Sequence, residues 1–141
     1  MAGWVLWVTL VLAALPGVLG ETRYEKFLRQ HHDDPRTDLS DRTYCNIMMA
    51  RRRVTGRSGP CKTFNTFVHE PEEDLVALCP RDAIPGHLYT SPTALRVSDC
   101  KHRGRNEQPP CNYRLISGTR RVAVACEGGR PVHLQSLPHA S

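Results

Sequence analysis

The chain contains no Cys-x-x-Cys pair, no zinc-ligand spacing, no phosphate-binding glycine loop and no Asn-x-Ser/Thr acceptor. These gaps argue against the commonest redox, zinc and nucleotide-phosphate motifs. Lysine is scarce: only Lys26, Lys62 and Lys101 occur, so sixteen of the nineteen basic residues are arginine. Aromatic residues make up 6% of the chain, and both tryptophans, Trp4 and Trp7, fall within the first 20 residues. That segment has no charge of either sign, and its apolar run from Trp4 to Leu12 falls short of the roughly 20 residues needed to cross a bilayer. Pro16 and the small residues ending at Gly20 complete the pattern of a secretory signal peptide cut before Glu21, although the usual basic start is missing. The expected division is a leader, 1–20, and one folded domain, 21–141.

Removing residues 1–20 from 141 leaves 121, enough for one domain with a modest core. Without tryptophan, that core rests on Phe27, Phe64, Phe67, the tyrosines and the aliphatics, so covalent staples are expected. Six cysteines in an exported chain, Cys45, Cys61, Cys79, Cys100, Cys111 and Cys126, predict three disulfides. Counting alone leaves about fifteen pairings open. The net charge of +5, carried mainly by arginine, favours a polyanionic partner, because the planar guanidinium fork matches phosphate oxygens. Charge does not choose between nucleic acid, heparin-like glycan and anionic membrane.

Helical spacing of Tyr24, Phe27, Leu28 and His31 predicts an amphipathic helix over Glu21 to His32, with Glu21 and Glu25 at its positive end. His31 shares a face with Phe27 and should point inward. Asp33 to Asp38 reads as a polar linker around Pro35. A second helix should start at Ser40 or Asp41 and close on Arg51-Arg52-Arg53, cations that suit a helix C-terminus. Val54 to Pro60 is turn-rich. A third helix is expected after Pro71 at its first position, with Glu72, Glu73 and Asp74 in its first turn, running through Leu78 to Cys79. Pro80 to Pro92 reads as a loop. Strands are expected at Leu95–Lys101, Cys111–Ile116, Arg121–Cys126 and Pro131–Gln135, with Ser117-Gly118 turning a hairpin between the second and third.

Cys61-Lys62-Thr63-Phe64-Asn65-Thr66-Phe67 alternates as a strand, with Lys62, Phe64 and Thr66 on one face and Thr63, Asn65 and Phe67 on the other. An ammonium near an amide and hydroxyls suits a phosphate and a nucleobase.

Cys61-Lys62-x-x-Asn65-Thr66-Phe67, with Gln30-His31 upstream and Pro131-Val132-His133-Leu134 downstream, resembles the pancreatic-type ribonuclease superfamily and, within it, the angiogenins. The resemblance implies an α+β fold of three short helices packed on a bent antiparallel sheet. It implies the bridges Cys45–Cys100, Cys61–Cys111 and Cys79–Cys126, and a fourth bridge of the pancreatic enzymes has no cysteines here. It further implies a secreted endoribonuclease that cuts RNA after pyrimidines without a cofactor or metal, leaving a 2′,3′-cyclic phosphate. His31 would be the base, His133 the acid and Lys62 the cation facing the transition state, with both imidazoles near an ordinary pKa of about 6.5. Gln30 and Leu134 would contact phosphate, and Thr66 would read the pyrimidine beside Phe64 and Leu134, within a substrate-binding group that also takes in Thr63 and Asn65. Lys26, Arg29 and Lys101 match outlying phosphate sites, and Glu127 matches a contact to the downstream base. His69 matches a buried structural histidine.

Two departures from the family pattern stand out. Gln135 replaces an aspartate that would orient the second imidazole, so activity is expected to fall. Ser136 replaces a glutamine that obstructs the pyrimidine pocket of angiogenins, and is too short to do so. The basic cluster Arg51, Arg52 and Arg53 resembles an angiogenin segment for nuclear entry and polyanion binding. The partners implied are RNA, a ribonuclease inhibitor, a cell-surface receptor, heparin-like glycans and anionic membranes, for a protein acting as a monomer. The alternative to a nuclease is a cationic host-defence or angiogenic binding protein with weak ribonuclease activity.

Overall fold

The computed structural model describes residues 20–104 and 108–137, so nearly all of the leader lies outside the described residues. Thr22 starts the first helix, α1 (Arg23–His31), with a capping box: its side chain accepts from the Glu25 amide, and Glu25 accepts from the Thr22 amide. Helix α2 spans Asp41–Arg51, strand β1 Phe64–Val68 and helix α3 Glu72–Val76. The remaining strands are β2 (Leu88–Thr90), β3 (Leu95–His102), β4 (Tyr113–Arg120), β5 (Val122–Glu127) and β6 (Arg130–Ser136). They form two antiparallel three-stranded sheets, ordered β1-β3-β4 and β2-β5-β6. The fold is α+β with three helices.

Strand β1 is the seam between two cores. Phe67 joins Tyr44, Met48, Met49 and Tyr113 under α2, while the next residue, Val68, joins Phe27, Leu75, Val122 and Val124 between α1, α3 and the second sheet. Alternation along the strand therefore delivers side chains to two apolar environments, and Asn65 and Thr66 are buried too. Fully burying each of these large side chains contributes about 1.5–3 kcal/mol. The expected division of Cys61–Phe67 into two faces fails because the strand starts only at Phe64. Before it the chain bends, held by a disulfide at Cys61, and Lys62 reaches the same side as Asn65.

All three disulfides join the implied partners, Cys45–Cys100, Cys61–Cys111 and Cys79–Cys126. They close stretches of 55, 50 and 47 residues, a length at which each constrains the unfolded chain by about 4 kcal/mol.

Several sequence expectations are corrected. Ser117 and Gly118 make no turn; they lie inside β4, opposite Ser98 and Val97 of β3. No hairpin joins β4 to β5, because the chain leaves one sheet at Arg120 and enters the other at Val122. Buried Ser91 holds that crossing, accepting from the Val122 amide through its hydroxyl and from Arg121 through its carbonyl. The loop over Pro80–Pro92 contains β2, paired with β5. Helix α3 stops at Val76, and Pro71 is its N-cap rather than its first helical residue. Asp33 is no linker residue on the surface: it is buried and accepts from the Tyr44 hydroxyl at 2.6 Å and from Thr37.

Candidate active site

Histidine 31 ends α1, against β1. Its Nδ1–H donates to the Thr66 carbonyl at 2.9 Å, which leaves Nε2 as the lone-pair nitrogen of the neutral ring. Burial lowers the His31 pKa to about 4, and the nearby Lys62 and His133 charges push in the same direction. At neutral pH this imidazole is therefore an uncharged base, in contrast to the expectation of an ordinary titration. Lys62 precedes β1 and donates from Nζ to Asn65 Oδ1 at 2.9 Å, while Asn65 Nδ2 donates to the Gln30 carbonyl at 2.9 Å. Asn65 thus ties the ammonium to the helix that carries His31. Burial, then Lys26, lowers the Lys62 pKa.

The third residue comes from the other sheet. The β5–β6 hairpin turns at Gly128 and Gly129, both with positive φ (60° and 78°), a pair of values that glycine adopts without strain. Ala125 then pairs with His133 but Cys126 with Pro131, so a register shift falls beside His133. Such bulges re-aim neighbouring side chains. His133 is exposed, and Arg23 Nη2 lies 3.4 Å from its Nε2, while Arg23 also pairs with Glu127.

His31, Lys62 and His133 together line a cleft of about 740 Å³, with Phe64, Thr66 and Leu134 also on its wall. The same three residues and Leu134 border a second cavity of about 550 Å³, which reaches Gln30 and Lys26.

Outlying residues divide differently. Thr63 and Lys101 are exposed and line neither cleft. The Arg29 guanidinium is engaged within the fold: it donates to both oxygens of Glu21 and to the carbonyls of Arg52 and Arg53. Arg52 returns the arrangement, donating to the carbonyls of Leu28, Arg29 and His32 and lying 3.6 Å from Asp33. Each arginine caps the other helix's C-terminus, so Arg29 is not free for phosphate and Arg52 leaves the basic cluster. Arg51 and Arg53 remain exposed. His69 is buried and structural, its Nδ1–H donating to the Asp33 carbonyl at 2.6 Å and Ser98 Oγ lying 2.7 Å from Nε2.

Around Thr66 lies a network that sequence reasoning missed. Thr66 donates to Asp99 at 2.6 Å, buried Arg120 pairs with Asp99, and Arg120 Nη2 reaches Thr66 Oγ1 at 3.3 Å. Both Asp99 and Arg120 sit inside strands, and the cross-strand pair Thr66–Asp99 becomes visible only once register is known. Ser136 Oγ stands 2.7 Å from Thr66 Oγ1, so this serine, expected only to be too short to obstruct the pocket, is a hydrogen-bond partner of the threonine hydroxyl there. The strand pairing of β6 carries its hydroxyl inward.

Residues 22–135 match the family model described as pancreatic ribonuclease. The chain is 51% identical over 122 residues to "Ribonuclease CL2" of Gallus gallus, covering 86% of this chain and all of the relative. It is 42% identical over 126 residues to an angiogenin of Mus musculus, covering 86% and 84%. The crystal structure of green turtle egg white ribonuclease superposes with a TM-score of 0.73 at 44% identity, covering 83% of this chain and 100% of that one. With the fold, the disulfide pattern and the sequence all in agreement, the chain belongs to the pancreatic ribonuclease family.

Proposed function

We propose that the protein is a secreted endoribonuclease that cuts RNA after pyrimidines by acid–base catalysis and needs no metal ion. The observation that carries this reading is the meeting of a neutral, tautomer-fixed His31, the Lys62 ammonium and the exposed His133 on one cleft. His31 Nε2 takes the proton of the 2′-hydroxyl, and the freed oxygen attacks phosphorus. Lys62 faces the charge that builds on the phosphoryl oxygens, and a positioned cation there favours the transition state over the ground state. His133 gives a proton to the departing 5′-oxygen, and the P–O bond breaks to leave a 2′,3′-cyclic phosphate. Water then opens the cycle with the two histidines in exchanged roles. DNA, without a 2′-hydroxyl, binds but is not cut.

Thr66, with Phe64 and Leu134 beside it, offers one hydroxyl to a pyrimidine edge. Gln135 gives His133 no carboxylate partner, so turnover is lower than with an aspartate at this position. Residues 1–20 serve as the secretory leader of the domain 21–141.

The assay is cleavage of a cytidine–adenosine dinucleotide in the presence of chelator. His133→Ala should lose at least a hundredfold in kcat, the ordinary contribution of a positioned general acid. Undiminished cleavage by that variant, or wild-type cleavage that stops on metal removal, would refute the reading.

A second reading, as a cationic host-defence or angiogenic binding protein, draws on the exposure of Arg51 and Arg53. Heparin-like glycans, anionic membranes, a receptor and nuclear import are its partners and route. It requires cell responses to survive His31→Ala and to vanish when Arg51 and Arg53 are neutralised together.

A further inference from the structure

Among the described residues no carboxylate lies against the His133 ring. Gln135, two positions on, lines the first cleft, and the group that meets the imidazole is Arg23, whose Nη2 stands 3.4 Å from Nε2. Arg23 opens α1 directly after the Thr22 cap, and α1 packs against β6, which brings the guanidinium over the β5–β6 hairpin. Its fork divides between the two strands: Nη1 donates to Glu127 at the end of β5, and Nη2 reaches His133 on β6. Lys26, His31, Arg57 and Lys62 border the same cavity as His133, but only Arg23 is within hydrogen-bond distance of the ring.

A guanidinium has donors and no acceptor. The nitrogen opposite it must offer a lone pair, which puts the single proton of neutral His133 on Nδ1. A histidine ring free in water prefers the opposite form, with the proton on Nε2. As the acid proposed above, His133 carries N–H on both nitrogens and gives one proton to the departing 5′-oxygen. Whichever nitrogen does so, Nε2–H then faces the N–H of Arg23 and a second positive charge. The resting contact is incompatible with the acid form. The fork has another arrangement open to it, since a guanidinium can give two parallel N–H groups to one carboxylate and Glu127 is already on its other arm. We propose that Arg23 is an autoinhibitory positioning residue: at rest it fixes the Nδ1–H tautomer of His133, and it withdraws before that ring acts as the acid. The second half of this statement rests on the ribonuclease reading, and the tautomer does not.

Two-bond proton–nitrogen correlation spectra of the mature chain, taken at a pH where the ring is neutral, read the tautomer directly. The His133 signals are assigned by their absence in His133→Ala. Wild type should show Nδ1–H, and Arg23→Ala should go over to Nε2–H. Arg23 is half-exposed in the first turn of α1, where alanine is a good helix former, so its loss leaves the fold intact. Lys26→Ala, which removes a different cation from the same cavity, should keep the wild-type tautomer. In the cytidine–adenosine dinucleotide assay Arg23→Ala should gain about threefold in kcat, the worth of one modest hydrogen bond. An Nε2–H ring in the wild type, an unchanged tautomer in Arg23→Ala, or a kcat that stays level or falls would overturn the proposal. The same tautomer change in Lys26→Ala would mean a diffuse charge effect and overturn it too. If neither protein cuts the dinucleotide, the nuclease reading fails by itself, and the spectra still decide whether Arg23 holds the ring.

Discussion

Protonating His31 should be far harder than protonating an ordinary imidazole. The ring is 6% exposed, its Nδ1–H is committed to the Thr66 carbonyl, and burial together with the Lys62 charge holds its pKa at about 4. In the unfolded chain the same group titrates near 6.5. Between those values the unfolded state binds a proton that the folded state refuses, so this residue makes stability rise with pH across the window. At pH 7 both states are neutral there and nothing is lost. Below about pH 4 the cost is complete: a difference of roughly 2.5 units at about 1.36 kcal/mol per unit is about 3 kcal/mol. Two measurements check this. A ring-proton NMR titration of the mature chain should place the His31 midpoint near 4, and Lys62→Met should raise it by removing a neighbouring cation. Urea unfolding at pH 7 and pH 4.5 should show wild type losing more stability on acidification than His31→Asn. A midpoint near 6.5, or equal acid losses in the two proteins, would refute the account. If His31 is the base proposed above, the same shift moves the acid limb of the rate profile, because the ring keeps its lone pair until its own pKa is reached.

The reciprocal capping of α1 and α2 predicts an uneven basic cluster. Arg52→Met should cost about 2–3 kcal/mol in urea unfolding, since it strips charged donors from three carbonyls and an ion partner from buried Asp33, whereas Arg51→Met should stay within about 0.5 kcal/mol. Equal losses would contradict the capping role. Ser136→Ala should strengthen uridine 3′-monophosphate binding about three- to tenfold, because the Thr66 hydroxyl keeps Asp99 and Arg120 but loses the partner it would have to exchange for the base. Weaker binding in calorimetry would show instead that Ser136 supports the base.

Legibility tracked the range of the interactions. The amphipathic pattern ending at His31, the acids after Pro71 and the six cysteines are local or countable, and the elements they predicted are present. The family resemblance supplied the pairing that counting left open. What failed was long-range. Gly118 looks like a turn residue, yet it pairs with Val97 because β3 and β4 run past it to Arg120. Leu88–Thr90 is too short to stand out among prolines and becomes a strand because β5 is beside it. Arg53, just past the end of α2, lies in the left-handed region (φ 54°) where glycine is the usual sign; the stop was legible instead from the basic run Arg51-Arg52-Arg53, and the helix ends at Arg51. Ser136 was judged by side-chain length, whereas its reach to Thr66 is decided by the path of β6.

The same distinction governs how the positive charge should be read. An arginine contributes to anion binding only with donors that the fold has not already used, and a guanidinium has five. Arg29, Arg52 and Arg120 direct theirs to carbonyls and carboxylates inside the protein, so their charge stabilises helix ends and a buried aspartate. Lys26 and Arg57 stand at the cleft, where Arg23 is already paired with Glu127, and Arg51 and Arg53 stand exposed at the end of α2. A net charge of +5 therefore describes two populations that differ in function. Neutralising the first lowers stability, with little effect on the salt dependence of binding. Neutralising the second changes the salt dependence and leaves the fold standing. On the ribonuclease reading, the face open to anions is consequently set by the helix-capping geometry of α1 and α2, which decides which guanidiniums remain free, rather than by the number of arginines in the chain.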